Sequence, residues 1–181
     1  KTTTPLQMWQ FIRQFIKKPL ETGAVLPSSQ ILAKAMTKRI NFKTANIIVE
    51  LGPGTGVITR ELLNNMKSDA KLIALEINKK FCKELRQIKD ERLEILQADA
   101  KDLAKVVNHA DVVVSGLPLV SFSDEDHEAV LISIKKVANQ YVQFHYSPLG
   151  EKQLKEHFPK FERMFVLRNV PPAIVYSVKN Q

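Results

Sequence analysis

Glu50-Leu51-Gly52-Pro53-Gly54-Thr55-Gly56 closes the apolar run Ile47-Ile48-Val49 and precedes a stretch of helical pattern. Glycines at alternate positions let a backbone turn sharply and approach a ligand without Cβ clashes. A strand, such a turn and then a helix is the opening of a nucleotide-binding βα unit. Here a proline takes one position that is flexible in the dinucleotide version. No Lys-Ser/Thr pair follows Gly56, which excludes the phosphate cradle of the G-x-x-x-x-G-K-S/T kind. Glu76 ends the second apolar run, roughly 20 residues further on, where nucleotide folds hold a ribose diol. Asp99 ends the third run inside Gln97-Ala98-Asp99-Ala100. A nicotinamide dinucleotide is the alternative ligand for such a turn.

The remaining chain fits the same plan. Short apolar runs fall at residues 47–51, 72–76, 93–97, 111–115, 141–146, 164–167 and 174–178. Their near-continuous apolar character predicts a sheet covered on both faces. Helical stretches at 57–66, 78–88, 124–140 and 150–158 separate them, which predicts parallel βαβ units. Asn169-Val170-Pro171-Pro172 is too short for a crossover helix, so the last two strands pair antiparallel. At 181 residues, 44% hydrophobic and 25% charged, the chain has the size and composition of one domain with a buried core. A single cysteine, Cys82, excludes an internal disulfide and a cysteine-based zinc site, and reads as core. His109, His127 and His157 lack metal-ligand spacing and read as surface residues. No metal is expected.

The first 45 residues have a different character. Thr4-Pro5 has the form of a helix cap and first-turn proline. Leu6, Trp9, Ile12, Phe15 and Ile16 then recur at helical spacing, flanked by Arg13, Lys17 and Lys18, and Pro19 stops the pattern. That composition suits a helix lying in a membrane interface, and equally a helix packed over the ligand pocket; the two are compatible. A second helix is expected over 28–39, capped by Ser28 or Ser29. The expected organisation is therefore 1–45 as amphipathic capping helices and 46–181 as the ligand-binding unit. With 27 Lys+Arg against 19 Asp+Glu the net charge is +8, which suits an anionic partner such as a nucleic acid or a lipid surface. No apolar run is long enough to span a bilayer, and no secretory signal is visible. A cytoplasmic protein associated peripherally with a membrane is the resulting expectation.

The glycine turn opened by Glu50, with Glu76 and Asp99 at successive strand ends, resembles the class I S-adenosylmethionine (SAM) dependent methyltransferases from about Ile47 to the end of the chain. The resemblance implies a Rossmann-like α/β fold, a seven-stranded, mostly parallel sheet with an antiparallel last strand. It implies SAM as cofactor, held by Glu50, Gly52, Pro53, Gly54, Thr55, Gly56, Glu76, Ile77, Asp99, Ala100, Ser115 and Gly116. Within that set Glu76 would take the ribose hydroxyls, Asp99 the adenine amino group, and Glu50 the methionine amino group, directly or through water.

The acceptor is addressed by Ser115-Gly116-Leu117-Pro118-Leu119 at the end of the fourth run. Adenine-N6 methyltransferases, including the ribosomal RNA dimethylases, carry Asn or Asp, then X, Pro and an aromatic here. Ser115 replaces the polar residue, Gly116 is extra, and Leu119 replaces the aromatic. A flipped adenine would lose its hydrogen-bond acceptor and a stacking platform worth about 1–3 kcal/mol. The segment is instead similar to that of bacterial phospholipid N-methyltransferases, which methylate phosphatidylethanolamine. So are Gly23-Ala24-Val25-Leu26-Pro27-Ser28-Ser29 and Arg168-Asn169-Val170-Pro171-Pro172-Ala173. This implies N-methylation of phosphatidylethanolamine or its methylated derivatives at an anionic membrane surface. Trp9, Ile12, Arg13, Ile16, Lys17, Leu117, Pro118 and Tyr146 are the candidate substrate and membrane residues. Tyr146 and Ser115 are the catalytic candidates, because an aromatic face holds the fixed cation that N-methylation creates. His145, pointing to the opposite face, is a possible proton acceptor. An RNA adenine methyltransferase and a non-catalytic SAM-binding module are the alternatives.

Overall fold

The computed structural model describes residues 27–180, so the Trp9, Ile12, Arg13, Ile16 and Lys17 stripe lies outside the described residues. In chain order the elements are α1 (Pro27–Thr37), β1 (Ile47–Leu51), α2 (Val57–Asn65), β2 (Lys71–Leu75), α3 (Lys79–Leu85), β3 (Leu93–Leu96), α4 (Leu103–Val106), β4 (Ala110–Ser115), α5 (Asp124–Val137), β5 (Ala138–His145), α6 (Glu151–His157), β6 (Glu162–Val166) and β7 (Ala173–Lys179). The strands form one sheet in the order β3-β2-β1-β4-β5-β7-β6. Neighbouring pairs among β1 to β5 are parallel, while β7 runs antiparallel to both β5 and β6. This is the mostly parallel, seven-stranded class I arrangement that the resemblance implies.

Both faces of the sheet are covered, as the continuous apolar strands require. On one face Ile48, Leu72, Val112, Val114, Val142 and Val175 pack with Leu32 and Met36 of α1 and Leu62 and Leu63 of α2. On the other Val49, Leu51, Val113, Tyr141 and Tyr176 pack with Leu103 of α4, Val130, Leu131 and Ile134 of α5 and Leu154 of α6. Each fully buried aliphatic side chain of this kind contributes roughly 1.5–3 kcal/mol. Cys82 is wholly buried and its Sγ lies 3.3 Å from the Glu76 carbonyl, which places it in the core.

Helix α2 is fixed at its far end by Arg92. That guanidinium donates to the carbonyls of Leu63 (2.9 Å), Met66 (3.0 Å) and Lys67 (3.2 Å), and is held in turn by Asp90. The last carbonyls of a helix have no partner within it, so a cation with several donors is well matched to them.

Three expectations change. The stretch 124–140 is not all helix: it ends at Val137, and residues 138–140 open β5, where Ala138 pairs with Ala110 and Gln140 with Val112. Pairing to β4 overrides a local pattern that carries no strand signal. Helix α1 begins at Pro27, ahead of the two serines expected to cap it. His127 is a core residue and not a surface one, only 2% exposed, because it lies one helical turn before Val130 and Leu131 on the inward face of α5.

Candidate active site

Backbone amides just past the ends of β1, β2 and β4 bring the signature residues together. Gly52 N donates to the Leu75 carbonyl (2.9 Å), Glu76 N to Leu96 (3.0 Å) and Gly116 N to Leu51 (2.8 Å). The parallel ladder thus runs one residue beyond the strands and aligns the turn after β1 with those after β2 and β4. Gly52 has φ +67°, and a Cβ on it would collide with the Leu117 side chain. Gly54 has φ +55°, and a Cβ there would meet only open space. The first glycine is therefore needed for packing against the acceptor loop. The second leaves backbone exposed where a ligand can approach. Pro53 is buried between them, Thr55 is half-buried, and Gly56 leads into α2.

Two carboxylates, Glu50 and Glu76, adjoin this turn, and a third, Asp99, follows β3. Glu50 is completely buried and faces α2, where Thr59 Oγ1 donates to its Oε2 at 2.7 Å. Its Oε1 is buried without a hydrogen-bond partner among the described residues. Burial pushes its pKa up to about 8, opposed by the Thr59 hydrogen bond and assisted by the nearby Glu76 charge. Glu76 is 7% exposed and accepts from Gly54 N at 3.1 Å and from Asn78 N at 2.8 Å. Beyond it Ile77 is 66% exposed, an apolar side chain left open beside a carboxylate. Asp99 begins the short helix Ala100–Asp102, accepts from Lys101 N at 2.9 Å and keeps its second oxygen 3.8 Å from Lys101 Nζ. Ala100 is half-buried next to it.

These residues suit SAM. The orphaned Glu50 Oε1 is an acceptor of the kind an ammonium requires. The uncovered Gly54 backbone and exposed Ile77 are what a nucleoside would cover, and Glu76 is a carboxylate aimed at the same turn. Among the described residues no group of His, Cys, Asp and Glu side chains could hold a metal ion.

The acceptor edge is built on one cross-sheet row, Leu51–Ser115–Gln143–Tyr176, read from the strand register. Ser115 is 1% exposed and its Oγ accepts from Leu117 N at 3.3 Å, which shapes the Ser115–Leu119 turn. Leu117 and Pro118 are half-buried, whereas Leu119 is fully buried in the core. The position that carries a base-stacking aromatic in adenine methyltransferases is thus a core aliphatic here. The hydroxyl of Tyr141 donates to Gln143 Oε1 and lies beside Ser115, and Gln143 Nε2 is buried without a partner among the described residues.

Tyr146 follows the end of β5. It packs edge-on to Phe144, with ring centroids 5.2 Å apart at 74°, on the face of the sheet that α1 and α2 cover. Burial raises its phenol pKa, partly offset by the neighbouring Asn169 side chain. His145 lies on the opposite face, as alternation predicts, against Tyr176 at 5.2 Å and beneath Gly150. It is 2% exposed with both ring nitrogens unpartnered among the described residues, and burial depresses its pKa to about 4. So low a basicity makes it a poor proton acceptor at neutral pH.

Sequence reasoning missed Thr59, Gln143 and Asn169. Two carried a signal: Gln143 interrupts an apolar strand, and Thr59 lies three and four residues before Leu62 and Leu63 on the inward stripe of α2.

Comparison with known proteins places this geometry. Over 179 residues, covering 92% of each chain, the sequence is 29% identical to the ornithine lipid N-methyltransferase of Singulisphaera acidiphila. It is 31% identical over 109 residues to a probable dimethyladenosine transferase of Dictyostelium discoideum, a match covering 59% of this chain and 30% of that one. Among solved structures, the magnesium protoporphyrin IX methyltransferase of Synechocystis with bound SAM superimposes with TM-score 0.70 at 12% identity, covering 92% of this chain and 84% of that one. TrmN of Thermus thermophilus gives 0.69 at 15% identity over 86% of this chain and 52% of that one. The family described as a methyltransferase domain matches residues 48–140, just over half of the sequence, and the chain belongs to it as a methyltransferase that uses SAM.

Proposed function

We propose that this enzyme N-methylates the amine of a membrane lipid head group, of the phosphatidylethanolamine or ornithine-lipid kind. The observation that carries the reading is the lipid N-methyltransferase relative, which matches along 92% of both chains, whereas the dimethyladenosine transferase match stops at 59% of this one. The acceptor edge supports it. Leu119 is in the core, so no aromatic at that position is free to stack on a base, and the residues on offer are neutral dipoles and aromatic rings.

When bound, SAM supplies an electrophilic methyl group on a sulfonium that leaves as a neutral thioether. Glu50, Gly52, Pro53, Gly54, Thr55, Gly56, Glu76, Ile77, Asp99, Ala100, Ser115 and Gly116 are the residues that would hold it. Glu50 takes the amino group, Glu76 the ribose hydroxyls and Asp99 the adenine amino group. Around the acceptor, Ser115 and the Leu117-Pro118 loop orient the amine and exclude water, which is most of what such a displacement asks of a protein. The amine must be unprotonated to attack. Tyr146, just past β5 at the same sheet edge and braced by Phe144, is the aromatic that would receive the nitrogen as it becomes a fixed cation, reaching it from the opposite face of the sheet to Ser115.

The reading also puts the protein at an anionic membrane surface on the cytoplasmic side. Among the described residues no helix is long and apolar enough to cross a membrane. The test is methyl transfer from labelled SAM to phosphatidylethanolamine, to ornithine lipid and to total RNA, side by side. Label in either aminolipid is expected, and the recipient names the head group. Label in RNA alone overturns the proposal in favour of base methylation.

A further inference from the structure

The tip of the β6–β7 hairpin is not used in the chemistry above, yet the hairpin carries three of the four most exposed large apolar side chains among the described residues. Phe165 is 64% exposed, Leu167 74% and Val170 60%. A single exposed Leu is ordinary; three large apolar residues within one hairpin are not. The register sets where they lie. Val166 pairs with Ala173, Phe165 with Ile174, and Ile174 with His145 at the end of β5. The turn between β6 and β7 therefore projects from the same sheet edge as the glycine turn, Ser115 and Tyr146.

The turn is also built to hold this presentation. Asn169 is 2% exposed; its backbone N donates to Val166 and its Nδ2 donates to the Pro171 carbonyl at 2.6 Å. With Asn169 turned inward, Leu167, Arg168 and Val170 are left on the outside. Arg168 is a cation at the centre of the apolar tip, and the chain as a whole carries net charge +8.

We infer that the β6–β7 hairpin is a membrane-docking element: Phe165, Leu167 and Val170 enter the interface of an anionic bilayer while Arg168 meets lipid phosphate. An apolar tip with a basic residue matches a lipid interface in both respects. A second copy of the chain matches less well, because a two-fold contact centred on the tip would set Arg168 against its own like charge. The inference rests on the lipid reading for its purpose: docking by this edge sets the methyl-transfer site facing the head groups. It is independent of the N-terminal stripe.

The test uses the full chain and vesicles of phosphatidylglycerol and phosphatidylcholine. In the triple variant Phe165→Ser, Leu167→Ser, Val170→Ser, co-sedimentation should weaken by about tenfold or more, since partitioning scales with apolar area buried. Affinity for SAM, measured by calorimetry, should be unchanged, which shows the variant folded. With phosphatidylethanolamine added to the vesicles, its methylation should fall in parallel, and in detergent micelles it should persist. Independently, Leu167→Trp in a Trp9→Phe background should give a blue-shifted emission on vesicle addition. Vesicle binding of the triple variant equal to that of the parent, or an unshifted Trp emission, overturns the inference. So does a parent dimer that the variant converts to monomer with vesicle binding intact. If the parent methylates no lipid in either form but the triple variant still loses vesicle binding, the substrate reading fails and the docking element stands.

Discussion

Thr59 Oγ1, on α2, donates a 2.7 Å hydrogen bond to Glu50 Oε2, on β1, and leaves the other Glu50 oxygen buried without a partner among the described residues. Burial is the main reason the Glu50 pKa sits near 8, so in the free protein this carboxyl is largely protonated at neutral pH. An ammonium set against the orphaned oxygen favours the carboxylate. SAM binding near pH 7 should therefore release a proton, and the calorimetric enthalpy should vary with the ionisation enthalpy of the buffer. Glu50→Gln should abolish that variation and weaken binding; an enthalpy in the parent that ignores the buffer would refute the assignment.

The same residue sets a stability trend. Its folded pKa lies above its ordinary value of 4.5, so the folded state holds the proton more tightly. The stabilisation is complete below about 4.5 and is lost as pH rises toward about 8. In thermal melts of the free protein, Glu50→Gln should flatten this decline and be at least as stable as the parent at alkaline pH.

Glu76→Ala should abolish measurable SAM binding, whatever the acceptor proves to be. The side chain accepts from Gly54 N and Asn78 N, so its loss also releases the glycine turn. Gly54 is part-buried and Asn78 exposed, so water can replace the lost acceptor and each bond is worth only about 0.5–1.5 kcal/mol. A modest drop in thermal stability should accompany the loss, and full retention of affinity in a calorimetric titration would exclude Glu76 from the cofactor site.

His145 predicts behaviour in acid. Its folded pKa of about 4 lies below the ordinary 6.5, so the unfolded chain binds the proton more readily in between. Stability should fall as pH drops through that window, and His145→Leu should reduce the fall. If His145 were the proton acceptor in catalysis, the same variant would also lose its acidic limb in the pH–rate profile. The buried, unpartnered ring predicts that the limb survives.

Tyr146→Phe should keep most of kcat because the aromatic face is retained, whereas Tyr146→Ala should lose about tenfold or more, a cation–π contact being worth ~0.5–2 kcal/mol with packing lost besides. Equal losses in the two variants would assign the role to the hydroxyl.

Much of this was legible in the chain. Apolar runs located all seven strands, most firmly the central ones such as β1 and β4, where burial on both faces leaves an unbroken apolar record. The turn at Gly52, Gly54 and Gly56 was legible because only glycine tolerates the positive φ found at all three. What escaped depends on partners distant in sequence. Residues 138–140 become strand through pairing with β4. Thr59 and Gln143 gain meaning only once Glu50 and Tyr141 are beside them. His127 was the avoidable error: with Val130, Leu131 and Ile134 it completes an inward helical stripe that its polar side chain disguised.

Arg92 touches three carbonyls at the end of α2, and Gly56 stands at the start of that helix. The loop before β3 thereby acts as a distant set-screw for the cofactor turn. Arg92→Lys keeps the charge but not the geometry of its several donors. Its signature would be a weaker grip on SAM and broader exchange of the Gly54 amide, in a protein where every residue facing the cofactor is unchanged.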